Sequence, residues 1–194
     1  MQRPSSHRTS ASHPLRIAEI EVPDGGTIGL TLAPGKHQLC AMSGTWQRDL
    51  ATDLDVIQAW RADMVVSVLE PLEFEELGIK QLPRAVAARG MRWLHLSITD
   101  LCAPSTTFLE QWPVHSIALR KELFVGNRVL IHCKGGLGRS GTVAAMLLMD
   151  WDQRTAADAI AVVREARGPK AIDPIQDEFL RTSYRPAGFP GRNH

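Results

Sequence analysis

Apolar positions along the chain change their period several times, and each change marks an element. Between Leu15 and Leu32 apolar and polar residues alternate on either side of Asp24-Gly25-Gly26, which predicts two short strands around a turn. From Asp49 the period lengthens, and Leu50, Leu54, Ile57 and Trp60 fall on one face of an amphipathic helix. Met64–Leu69 is a run of apolar and β-branched residues short enough for a buried parallel strand. Pro83 to Arg89 predicts a short helix with proline at its start and Gly90 at its end. Met91–Ile98 reads as another strand, and Asp100 lies just past its end. Ser105 to Phe124 reads as helical, with Pro113 starting or kinking its main part. Gly126-Asn127 turns into a strand over Arg128–His132, and Ser140 to Trp151 is a strongly apolar helix. Thr155 to Asp158 resembles a capping box opening a helix that ends at Gly168-Pro169, and Asp173-Pro174 opens a last helix.

Strands alternating with helices predict an α/β fold: a mostly parallel central sheet flanked by helices, with ligands bound beyond the carboxyl ends of strands. Asp100 and Cys133 are both predicted at such ends, so they can face one cleft. The chain has 194 residues, 44% hydrophobic and 22% charged, enough for one domain with a real core, placed at residues 15–185. Residues 1–14, rich in Ser and Arg and without an apolar h-region, read as a disordered tail, although a short organelle-targeting peptide has similar composition; residues 186–194 read as a loose C-terminal tail.

A net charge of +1 argues against a general binder of nucleic acid or of membrane surfaces, so any anion selectivity is local. The apolar runs are too short for stable membrane insertion. Cys40, Cys102 and Cys133 are odd in number and irregularly spaced, which points to a reducing, cytoplasmic setting rather than a disulfide framework. No HExxH or CxxC occurs, so neither a metal nor a cofactor is expected. Cys40 and Cys102 read as small buried hydrophobes; the other reading is a redox partner protecting Cys133 by forming a disulfide.

The chemistry concentrates in Val129–Gly141, VLIHCKGGLGRSG, which reads as strand, Gly-rich loop and helix start. Such a turn directs successive backbone N–H groups and a helix N-terminus at one point, forming a cup for an anion from Lys134, Gly135, Gly136, Leu137, Gly138, Arg139 and Ser140. A phosphate monoester in that cup would meet the loop N–H groups and the bidentate fork of Arg139. Cys133, held as thiolate by the positive potential, would lie in line for attack and form a phosphocysteine. Asp100 is the carboxyl group best placed to protonate the leaving oxygen and then to act as base for water. Ser140 would donate to the sulfur as it leaves, and Gln176 is a candidate for orienting the water. His132 reads as a loop-fixing residue, and Lys134 as either a solvated lysine or a sensor of a highly anionic substrate.

HCKGGLGRSG resembles the HCxxGxxR[ST] signature of cysteine-dependent protein phosphatases, especially the dual-specificity group. Glu70 through His95, EPLEFEELGIKQLPRAVAARGMRWLH, together with the loop, looks like the kinase-associated phosphatase branch. The resemblance covers roughly residues 28–184. It implies Cys133 as nucleophile, Arg139 as phosphate binder, Asp100 as general acid and Ser140 as thiolate-release residue. No WPD tripeptide surrounds Asp100, unlike the common pattern of that group. The expected substrate is a phosphorylated protein carrying phosphotyrosine, phosphoserine or phosphothreonine, with a phosphoinositide or another small phosphate monoester as the alternative. Gly136 to Gly141 is also a literal GxGxxG, but a second parallel strand should follow a dinucleotide site, and Gln153–Arg167 reads as helix. A nucleotide P-loop needs GKS or GKT. A phosphate-binding module without catalysis is the remaining rival, although nothing essential to the chemistry is missing.

Overall fold

The computed structural model describes residues 7–41 and 44–186. The opening alternation forms β1 (Ala18–Glu21) and β2 (Thr27–Thr31), an antiparallel pair with Ile20 opposite Ile28. β3 (His37–Ala41) and β4 (Gly44–Gln47) follow as a separate two-stranded antiparallel sheet. Next come α1 (Leu50–Ala59), β5 (Met64–Ser67), α2 (Pro71–Glu76), α3 (Leu82–Ala87) and β6 (Arg92–His95). The chain then runs through α4 (Thr106–Phe124), β7 (Arg128–His132), α5 (Arg139–Asp152), α6 (Ala156–Arg167) and α7 (Pro174–Thr182).

Strands β1, β2, β7, β5 and β6 lie side by side in that order, and every pairing except β1 with β2 is parallel. Side chains alternate across this sheet as the strand period requires. Leu130 and Val65 pack under α1, α2 and α3 with Leu54, Ile57, Phe74, Leu82 and Val86. Val129, Ile131 and Val66 point to the other side, where α4 to α7 supply Trp112, Leu119, Met146, Ile160 and Leu180. The result is helix layer, sheet, helix layer, with β7 at the centre. α5 is buried along nearly its whole length, from Arg139 to Trp151, which accounts for its near-continuous apolar sequence.

Polar side chains cap the helix starts, at Thr155 and Asp173 as the sequence predicts. Side chains of Asp49, Ser105, Thr155 and Asp173 accept from backbone N–H groups in the first turns of α1, α4, α6 and α7. Pro113 lies inside α4 rather than at a break, because Phe108, Trp112, Ser116, Leu119 and Leu123 are all buried and carry the helix past it.

Three features depart from the sequence reading. The β3–β4 hairpin and the short α2 were not among the predicted elements. Residues 7–14 do not run free: Arg8 N–H donates to Thr45 O at 2.9 Å, its carbonyl accepts from Gln47 N–H at 3.1 Å, and Ser10 is buried. Residues 1–6 and 187–194 lie outside the described residues. Cys40 and Cys102, read as buried, are exposed; the first sits on a hairpin with no second layer over it, the second in the turn after Asp100.

The outer layer carries one polar hub, Asp150 on α5. It is fully buried and accepts from Trp112 Nε1 at 3.0 Å, Ser116 Oγ at 2.5 Å and Tyr184 OH at 2.7 Å, tying α4, α5 and the segment after α7 together. Burial and the neighbouring Asp150 charge push the Tyr184 phenol well above its ordinary pKa, so it stays a donor. Asp150→Ala leaves several buried donors unsatisfied and is expected to lower stability by about 3–5 kcal/mol. Urea unfolding measures this, and a loss under about 1 kcal/mol would mean that the hub is not structural.

Candidate active site

β7 ends at His132, and the chain turns so that Cys133 begins a loop running to the start of α5 at Arg139. The turn depends on Gly136 at φ +68°, where a Cβ would come within 2.5 Å of Thr31 O. Gly136 N–H points inward and donates to Cys133 Sγ at 3.2 Å, and Ser140 Oγ lies 3.5 Å from the same sulfur. Arg167 Nε donates to Gly136 O at 2.9 Å and Ile172 N–H to Leu137 O at 2.7 Å, so α6 and the segment before α7 hold the outside of the loop.

Cys133 is 3% exposed. Burial pushes its thiol up, but Arg139 and the hydrogen bonds of Ser140 and Gly138 outweigh burial, and the net pKa lies below the ordinary thiol value. The charged form of the sulfur is therefore favoured, and the residue lines the cavity of the site.

Arg139 is 1% exposed and held from behind by Glu73 on α2. Nη2 donates to Glu73 Oε1 at 2.9 Å and Nη1 to Glu73 Oε2, while Nη1 also donates to Ile98 O at 3.0 Å. Burial raises the Glu73 carboxyl, but the guanidinium hydrogen bonds and the Glu70 N–H bring it below the ordinary carboxylate range, so the pair is ionised. Arg139 Nε is buried and has no hydrogen-bond partner. A planar guanidinium with one edge fixed and a donor left open is pre-arranged for an anion.

Asp100 reaches the same guanidinium, its Oδ1 3.1 Å from Arg139 Nη2, with half of its side chain exposed. Its loop hangs from α2 as well: Thr99 Oγ1 donates to Glu70 Oε1 at 3.1 Å and Asp100 N–H to Glu70 Oε2 at 3.4 Å. Leu101, the next residue, is exposed at φ +55°, in the left-handed region. Glu70 and Glu73 thus position the carboxylate and the guanidinium together. Sequence reasoning missed both; the signal was Glu70-Pro-Leu-Glu73, a helix start directly after a strand, with Glu73 accepting from Glu70 N–H at 2.8 Å.

His132 is fully buried, its Nε2 2.7 Å from Ser67 Oγ, which in turn accepts from Trp93 Nε1 at 2.8 Å. Burial lowers the imidazole to about 4, so it is neutral and anchors the loop base, as expected. Lys134 is partly exposed and leans on Glu73 at 3.6 Å and Glu76 at 3.9 Å. Gln176 is buried; its amide donates to Cys102 O at 3.0 Å and its Oε1 lies 3.0 Å from where a Cβ on Gly138 would stand. Together Asp100, Cys133, Lys134, Gly135, Leu137, Gly138, Arg139 and Gln176 line a cavity of about 530 Å³. Every sequence-predicted site residue therefore converges on one place, although Gly136 and Ser140 contribute from beneath the sulfur. Among the described residues no group of three or more His, Cys, Asp or Glu is arranged for a metal ion.

A buried thiolate in an N–H-lined loop with an arginine beside it defines the class of the site, and comparison with known proteins points the same way. Residues 105–181 match the family described as dual specificity phosphatase, catalytic domain. The chain resembles the cysteine-dependent dual-specificity phosphatases, and among solved structures it resembles the kinase associated phosphatase carrying a serine in place of its catalytic-site cysteine. That likeness has a TM-score of 0.75 at 24% identity and covers 86% of this chain and 92% of that one, which establishes the fold. The bovine (Bos taurus) protein tyrosine phosphatase domain-containing protein 1 is 34% identical over 118 residues, 60% of this chain and 14% of that protein. Mouse (Mus musculus) dual specificity protein phosphatase 19 is 24% identical over 174 residues, covering 87% of this chain and 72% of the relative. The chain thus spans only a small part of the first of these relatives and most of the second. The matched segment includes the loop but begins after Asp100 and Glu73, whose placement rests on the geometry.

Because Arg139 depresses the Cys133 pKa, the thiolate persists as pH falls below the ordinary thiol value of about 8.5. Alkylation by iodoacetamide should therefore have its pH midpoint below that value in the native protein, and Arg139→Met should move the midpoint up. An unchanged midpoint in the variant would remove Arg139 from the electrostatics of the thiol.

Proposed function

We propose that this protein is a phosphoprotein phosphatase that hydrolyses phosphotyrosine and phosphoserine or phosphothreonine monoesters through a phosphocysteine, with residues 15–185 as its catalytic unit. The observation that carries this reading is the stabilised Cys133 sulfur facing the same cavity as an Arg139 guanidinium whose Nε has no partner. The substrate phosphoryl group sits over the loop with its non-bridging oxygens on backbone N–H groups and on Arg139. Cys133 Sγ attacks phosphorus, the S–P bond forms as the P–O ester bond breaks, and Asp100 gives its proton to the leaving oxygen. In the second step Asp100 takes a proton from water, the water oxygen attacks phosphorus, and sulfur leaves as thiolate with Ser140 donating to it. Gln176, against Gly138, orients that water. No metal or cofactor enters these steps.

The reactive thiol suits the reducing cytoplasm, which is the proposed location. Among the described residues no helix is long and apolar enough to cross a membrane. A phosphoinositide or another small phosphate monoester is the competing substrate, and parallel assays with phosphopeptides and inositol phosphates in chelator decide between them.

Cys133→Ser is expected to abolish turnover. Asp100→Ala should lower kcat by about 10² to 10³ with little change in KM, and the loss should be smaller for an aryl phosphate with a good leaving group than for a phosphoserine peptide. Steady-state kinetics on both substrates test this; equal losses would assign the proton to another group.

A further inference from the structure

The wall of the cavity opposite in sequence to the signature loop comes from the β3–β4 hairpin region, which contributes Lys36, Gln38 and Ala41. Lys36 is an unusual residue to find there. It is 3% exposed, and among the described residues no carboxylate lies within ion-pair distance of it. Its Nζ donates to Lys134 O at 3.2 Å and to Gln38 Oε1 at 3.4 Å, and sits 4.8 Å from the centre of the Trp46 ring. An ammonium has three N–H donors, so two are used and one remains.

Buried lysines are ordinarily paired, because an uncompensated charge away from water is costly. Three nearby cations do not share this deficit: Lys134 leans on Glu73 and Glu76, Arg139 is clamped by Glu73, and Arg48 is paired with Asp53 at 2.7 Å. Burial draws Lys36 down to about 8, the Cys133 charge pulls it back, and Arg48 and Lys134 push it further down. The negative group acting on Lys36 is therefore Cys133, and when a phosphocysteine forms the sulfur gives up its charge while the phosphoryl group keeps its own in the loop.

On the reading of the site as a phosphatase, we propose that Lys36 is a specificity-determining residue: it forms a second anion subsite in the catalytic cavity, for a phosphate or carboxylate adjacent to the scissile phosphoresidue of a peptide. The juxtaposition of a buried ammonium that has no carboxylate partner with the phosphate loop, in one cavity, supplies the second point of attachment. An acidic side chain next to the phosphoresidue brings a single further anion, which matches the one buried lysine of the cavity. An inositol ring bearing several phosphates brings more anions than one buried ammonium can meet. Lys170, exposed on the segment before α7, adds a solvated positive charge to the rim.

The test compares two phosphotyrosine peptides differing only in whether the neighbouring residue is Glu or Gln. In the native protein kcat/KM should favour the Glu peptide, and in Lys36→Met, which keeps an unbranched apolar stem, that preference should fall about tenfold, through KM. Lys36→Arg should restore most of it. The same ratio is read as binding affinity on Cys133→Ser protein by calorimetry, with and without Lys36→Met. A preference unchanged by Lys36→Met, or Lys36 dependence seen with soluble inositol bisphosphate and not with the peptides, would overturn the proposal. If the native protein turns over neither peptide, the phosphatase reading fails, while the affinity ratio still decides the role of Lys36.

Discussion

The buried ion pair between Glu73 and Arg139 is the constraint on which the site depends. Alone, a guanidinium at the start of α5 would be free to swing with its long side chain, and its charge would be expensive to bury. Glu73 takes one edge of it in a two-point grip, and Nε is left without a partner. The same short helix carries Glu70, which holds the backbone and hydroxyl of the Thr99–Asp100 turn. One turn of helix therefore registers the Arg139 guanidinium against the Asp100 carboxylate, and it packs against β5 and β7 through Phe74 and Leu77. Removal of either partner of such a pair typically costs about 3–5 kcal/mol, which explains why the arrangement sits in the core rather than on a loop.

The sheet supplies the rest of the precision. β7 is central, paired on both sides, and delivers Cys133 at its carboxyl end with His132 locked beneath it by Ser67 and Trp93. α5 starts six residues later and is buried along its length, so the loop between them is stretched between two rigid elements. Its N–H groups are aimed before any substrate arrives. Preorganised donors of this kind act on the charge that develops in the transition state without having to reorganise.

Much of this was legible in the chain. The change of apolar period at Asp49, the short β-branched runs and the caps at Thr155 and Asp173 were local signals, and local physics decides them. Cys133, Arg139 and Ser140 were legible because one loop carries them. Glu73 was not, because its partner lies 66 positions away and only the packed fold brings them together. Lys36 was missed for a related reason: His37–Ala41 has no clean alternation, so the hairpin that adds a wall to the cavity leaves no periodic trace. Cys40 and Cys102 were misread by residue-type habit, since free cysteine is usually buried, whereas these stand on a thin hairpin and an exposed turn.

In the proposed mechanism these features serve one event, the transfer of a phosphoryl group to the Cys133 sulfur. The most direct measurement is rapid acid quench during turnover of a phosphopeptide, followed by mass spectrometry of the peptide containing Cys133. The account predicts a single phosphoryl group on Cys133, at a level that rises in a variant slowed in the second step, such as Gln176→Ala. Turnover with no phosphoryl group on Cys133, or with the label on another residue, would contradict it.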